Sequence, residues 1–185
     1  MKGLKMKIIF LDIDGVLNNG DVEHHTKMKE KGDKRGFHTF AEAFCPRPEL
    51  TERLLRINNA FPDTEIVISS TWRHNGADPY VWESMLYACG GFDLPARICF
   101  ELPSTPKLWK PRGLEIQQWL DDWEELVEAR KEDSYPPKPI DSFVILDDDS
   151  DMEHLMDRLV HVNGKTGLSE KNVEEAIEIL NRPYL

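Results

Sequence analysis

Cysteine is scarce: Cys45, Cys89 and Cys99 are the three in 185 residues, and they stand far apart. They suit neither a paired disulfide framework nor a Cys-x-x-Cys metal knuckle, so buried free thiols in a reducing compartment are expected. The six histidines lack zinc-ligand spacing, since the adjacent His24 and His25 would point different ways on any regular element. Long apolar runs are missing too. No stretch approaches the ~20 residues of a membrane span, and "MKGLKMK" leads into a strand-length run rather than a signal-peptide core. A cytoplasmic location is the expectation. Positive charge is in short supply, with 23 Lys and Arg against 34 Asp and Glu, a formal net charge of −11. Such a molecule as a whole repels nucleic acid, which leaves only local basic patches to meet a polyanion. Internal repeats are absent, and the one proline-rich piece, "SYPPKP" at 134–139, reads as a connector.

What is present is an ordinary globular balance, 40% hydrophobic and 31% charged, in a chain of one-domain length. Apolar strand-length runs recur: "KIIFLD", "EIVISS", "RICF", "SFVILDD" and "LVHV". Runs that are apolar throughout suit strands covered on both faces, hence a parallel sheet. Between them, 48–61 opens with proline and places Leu50, Leu54, Leu55 and Ile57 on one helical face. Residues 113–131 space Ile116, Trp119, Leu120, Trp123, Leu126 and Val127 as a helix would, and the Asp and Glu of 121–133 read as its solvated face. Residues 169–181 open with Ser169 as an N-cap and carry Val173, Ala176, Ile177 and Leu180 on a stripe. Alternating strands and helices predict a layered α/β sandwich, in which ligands collect at the carboxyl ends of the strands.

Chemistry-bearing residues cluster at those ends. Asp12 and Asp14 close the first run with both side chains turned to one face by strand period, and Gly15 lets the chain leave sharply. Two carboxylates so close require a proton or a cation, and Mg²⁺ is commonly held by one or two carboxylates together with a substrate phosphate. A second acidic group, Asp147, Asp148 and Asp149, follows "FVIL". An EF-hand reading of this segment fails, because its sixth position is Met152 rather than Gly and its twelfth is Arg158 rather than Glu. The run "EIVISSTWR" ends in Ser69, Ser70 and Thr71 with Arg73 beyond, groups that suit phosphate oxygens. Finally, "PKLWKPRGLEI" puts Lys107, Lys110 and Arg112 before the long helix, where one could neutralise a phosphoryl group.

In this order the four pieces resemble motifs I to IV of the haloacid dehalogenase-like (HAD) superfamily of phosphohydrolases: "DIDGVLN", "IVISS", a Lys or Arg before a helix, and "VILDDD". The resemblance implies a three-layer Rossmann-like sandwich with a mostly parallel sheet. It implies Asp12 as the nucleophile that carries an aspartyl-phosphate and Asp14 as general acid and then base. Ser69 would hold the phosphoryl oxygen, with Ser70 the alternative. Asp147 and Asp148 would complete an Mg²⁺ site with Asp12 and the backbone carbonyl of Asp14. Arg112 is preferred to Lys110 for motif III, because "RGLEIQQWL", "SSTWR" and "TGLS" at 166–169 resemble the HAD domain of Swiss Army Knife RNA repair proteins. More distantly, the Arg after the motif II Ser is similar to the phosphatase half of phage polynucleotide kinase-phosphatases.

Residues 1–185 are therefore read as a single HAD-like phosphatase domain with minimal or no cap, and 20–47 as a short flap too small to be a globular one. Within it Lys27, Lys29, Lys31, Lys34 and Arg35 face only Glu30 and Asp33 in sequence, a basic island where a nucleic-acid backbone could rest. Removal of terminal phosphates from RNA or DNA ends is the leading expectation. Hydrolysis of free nucleotides or other small phosphate esters, and a noncatalytic Mg²⁺- or phosphate-binding module, are the alternatives. Protein partners are not legible.

Overall fold

The computed structural model describes residues 5–18, 46–71, 73 and 98–184. Among these residues four strands, β1 (Met6–Leu11), β2 (Thr64–Ile68), β3 (Ile140–Asp147) and β4 (Leu159–His161), form one sheet in the order β2-β1-β3-β4. Every pairing is parallel. On the outer side of β2, Ile98 pairs with Ile66 and Ser104 with Ile68 through single parallel bridges, so "RICF" contributes a bridge and no full strand among the described residues.

Among the described residues three helices cover the sheet: α1 (Pro48–Ala60), α2 (Arg112–Ala129) and α3 (Glu170–Leu180), with a 3-10 helix at Glu153–Arg158. Strand alternation sorts the core into two layers. Ile9, Leu11, Ile66, Ile68, Val144 and Leu146 pack against Leu50, Leu54 and Ile57 of α1 and Val173, Ala176 and Leu180 of α3. Met6, Ile8, Phe10, Val67, Phe143 and Ile145 pack against Ile116, Trp119, Leu120 and Trp123 of α2. The expected stripes are thus the buried faces, with Leu55, Ile177, Leu126 and Val127 packed at their margins. Phe10 meets Trp119 edge-on, with ring centroids 5.2 Å apart, and Trp119 stacks on Trp123 at 5.3 Å. This is the expected three-layer α/β sandwich with a parallel sheet.

Ser169 caps α3 with a reciprocal capping box, accepting from the Asn172 backbone N–H while the Asn172 side chain accepts from its own. The presumed flap lies outside the described residues from 19 to 45, as do Cys45, Cys89 and the stretch 74–97. The described residues on either side of it meet, the Arg47 N–H donating to the Leu17 carbonyl at 2.8 Å. Cys99 is a free, buried thiol, as expected.

Candidate active site

The same alternation that builds the core places the acidic residues. Asp12 follows Leu11 in register with the end of β3, its N–H donating to the Leu146 carbonyl at 2.9 Å, and Ser69 N–H donates to the Leu11 carbonyl at 2.9 Å. Phe10, Val67 and Ile145 face α2, so two residues further on Asp12, Ser69 and Asp147 face it as well. All three are buried.

Into this corner α2 sends its first residue. Arg112 Nη1 donates to Asp12 Oδ1 at 3.3 Å and to the Ser69 carbonyl, and lies 3.3 Å from Asp147 Oδ2. The Asp147 contact is an ion pair without hydrogen-bond geometry, since Asp147 Oδ2 has no hydrogen-bond partner. Lys110, two residues earlier, is exposed. The start of α2 is fixed by Asp151, whose Oδ2 accepts from the Arg112 N–H at 2.8 Å and whose carbonyl accepts from the Gly113 N–H at 3.1 Å.

Burial raises the Asp12 carboxyl above the usual carboxylate range, opposed by the Arg112 charge and by a hydrogen bond from Ser70. Burial likewise pushes Asp147 up to about 7, with the Asp12 charge adding to the rise and Arg112 opposing it. Ser70 is therefore engaged with the Asp12 carboxylate, whereas the Ser69 hydroxyl is buried and has no hydrogen-bond partner. A buried hydroxyl without a partner is costly to keep and ready for a ligand oxygen.

Asp14 stands apart. Its side chain is exposed, and its Oδ1 accepts from Asn18 Nδ2 at 2.8 Å. The turn that carries it closes on Asn18, whose carbonyl and Oδ1 accept from the Gly15 N–H at 2.8 and 3.2 Å. Gly15 has φ +74, and a Cβ there would come within 2.2 Å of Asp148 Oδ2; one at Gly164 would come within 2.3 Å. Two glycines thus leave room for the Asp148 carboxylate, which burial also raises.

Asp12, Asp147 and Asp148 can each bring a carboxylate oxygen within 4.8 Å of the others. The donor set is all oxygen and includes the buried Asp147 Oδ2 that no hydrogen bond satisfies, so the residues fit a hard divalent cation. The Asp14 carboxylate does not belong to this group.

Arg73 is placed differently from the expectation of a phosphate contact. Its guanidinium is buried, donates to the Ser69 carbonyl and, at 2.7 Å, to the Ser70 carbonyl, and pairs with buried Glu115 of α2. Glu115 Oε1 also accepts from the Leu108 N–H at 2.9 Å. Glu115, Asn18 and Asp151 are site residues that the sequence reading missed. A glutamate in an acidic amphipathic helix reads as solvated, and only its position three residues after Arg112 hinted otherwise. A cavity of about 270 Å³ lined by Trp123, Val127, Ile140 and Tyr184 lies at the start of β3, away from all these groups.

No curated protein and no solved structure matches the chain. The model of one family, the HAD domain in Swiss Army Knife RNA repair proteins, matches residues 8–173, from within β1 into α3 and across every group just described. That match covers most of the sequence and all four strand ends, and the chain belongs to this family of HAD domains.

Proposed function

We propose that this domain is a Mg²⁺-dependent phosphomonoesterase that works through an aspartyl-phosphate on Asp12 and removes terminal phosphates from polynucleotide ends. One observation carries the reading: Asp12, the unpartnered Ser69 hydroxyl and the Arg112 guanidinium converge beside the Asp147 and Asp148 carboxylates.

Asp12 is the nucleophile, held by its Arg112 and Ser70 contacts so that little motion is needed before attack. Ser69 donates its free hydroxyl to a phosphoryl oxygen, and Arg112 spreads positive charge over the transferring group. Asp14, exposed at the end of the turn, gives a proton to the leaving oxygen and then takes one from the water that cleaves the acyl phosphate. Asn18 holds that carboxyl in place through Oδ1. Asp12, Asp147 and Asp148, with the Asp14 backbone carbonyl, are the residues that would hold Mg²⁺, which supplies the charge neutralisation that lets an anionic nucleophile meet an anionic phosphate. Arg73 and Glu115 act at one remove, fixing the carbonyls of Ser69 and Ser70 from behind.

Membership of an RNA-repair family supports polynucleotide ends as the substrate class. Two measurements test the proposal. Phosphate release from an aryl phosphate in the presence of Mg²⁺ should be lost in Asp12→Asn, and undiminished turnover by that variant overturns the mechanism. Wild-type protein should prefer a 3′-phosphorylated oligonucleotide to mononucleotides, and the opposite preference overturns the substrate class.

A further inference from the structure

Three residues before Arg112, Trp109 occupies the left-handed backbone region with φ 56. Bulky residues rarely enter that region, and where they do the surrounding contacts impose it. The residue is 79% exposed. A large aromatic is thus turned outward on backbone that such residues rarely adopt.

The flanking contacts place this segment beside the site. The Thr105 N–H donates to the Ile68 carbonyl at 3.0 Å, which anchors one side of the segment at the end of β2. Arg112 anchors the other side on Ser69 and Asp12. Between them the Leu108 N–H is held by Glu115, the partner of buried Arg73. With trans-peptide Cα atoms 3.8 Å apart, the Trp109 Cα lies within about 11 Å of that of Arg112.

Charge completes the pattern. Residues 107–112, "KLWKPR", carry Lys107, Lys110 and Arg112 and no acidic group in a chain of net charge −11. Lys107 Nζ sits 4.2 Å from the Trp109 ring centroid, and Lys110 is exposed. An aromatic face interleaved with lysines is the arrangement that holds single-stranded nucleic acid, by base stacking and backbone charge.

We propose that Trp109 is a stacking platform for a nucleobase next to the phosphorylated end, with Lys107 and Lys110 against the adjoining backbone phosphates. The inference rests on the substrate class proposed above and deepens it: the domain engages the strand as well as its terminal phosphate.

Binding is measured in the Asp12→Asn background by fluorescence anisotropy, using a 3′-phosphorylated single-stranded hexanucleotide. Trp109→Ala should weaken binding by roughly tenfold, the scale of one base stack, and Trp109→Phe should retain most of the affinity. A hexanucleotide of equal charge with abasic residues at its phosphorylated end should bind the Asp12→Asn protein about as weakly as the intact strand binds Trp109→Ala. It should be indifferent to that substitution. With Asp12 restored, the ratio of kcat/KM for the hexanucleotide to that for acetyl phosphate, which has no ring, should fall by a similar factor in Trp109→Ala. Equal binding of abasic and intact strands overturns the platform without recourse to a Trp109 variant. An acidic phosphopeptide bound as tightly, with the same dependence on Trp109, overturns it in favour of a protein partner. If the Asp12-competent protein releases no phosphate while Trp109-dependent strand binding persists, the phosphatase reading falls and the platform stands.

Discussion

Burial raises Asp147 from an ordinary carboxylate value to about 7, so the metal-free fold holds a proton there that the unfolded chain has released. The stabilising contribution is therefore fully present below the unfolded value of 3.8 and is lost as pH rises through about 7. The urea midpoint of the metal-free protein should fall between about pH 4 and pH 7, and Asp147→Asn should flatten that fall; an unchanged slope in the variant contradicts the assignment. Binding a divalent cation requires the carboxylate form and releases the proton, so cation affinity measured calorimetrically should rise over the same pH interval. The spacing of Asp12 and Asp14 and the run at Asp147 were legible as residues because strand ends and carboxylate clusters are local patterns. The difference between Ser69 and Ser70 was not. It depends on which hydroxyl meets Asp12, a residue 57 or 58 positions away in the chain.

Among the elements, the helices were legible nearly to their ends, since periodicity and caps are properties of consecutive residues. Ser169 illustrates this: a Ser before an apolar stripe predicts an N-cap, and the capping box is there. Ser169→Ala should cost about 1 kcal/mol and lower Tm by roughly 2–4 °C in thermal unfolding. The role of α2 was less visible. Its stripe predicts the buried Trp119 and Trp123, but Glu115 is buried on it as well and ties the helix to Arg73 and to the segment before it. Glu115→Ala leaves the Arg73 guanidinium buried without its charge partner and should destabilise by about 3–5 kcal/mol in urea. Glu115→Gln keeps an acceptor for the Leu108 N–H and should lose less; equal losses would show that the charge is immaterial.

For the whole molecule, the sheet order brings the ends of β1, β2 and β3 together, and a bound cation is expected to act as a staple between β1 and β3. Mg²⁺ at a hundred times its Kd should add about 2.7 kcal/mol to unfolding stability, seen as a rise in Tm, and Asp148→Asn should remove most of that rise. A rise that survives in Asp148→Asn places the cation elsewhere. No helix among the described residues is long and apolar enough to cross a membrane. By itself, the sequence determined the α/β architecture and the strand ends at which Asp12, Ser69 and Asp147 stand. Both follow from run length and from the period of two, which act between neighbours along the chain. Only the tertiary structure decided that the Arg112 guanidinium reaches Asp12 and Asp147, that Arg73 is held inside by Glu115, and that Trp109 is turned outward. Those outcomes depend on desolvation and on contacts between segments remote in sequence, and no local pattern of residues encodes them.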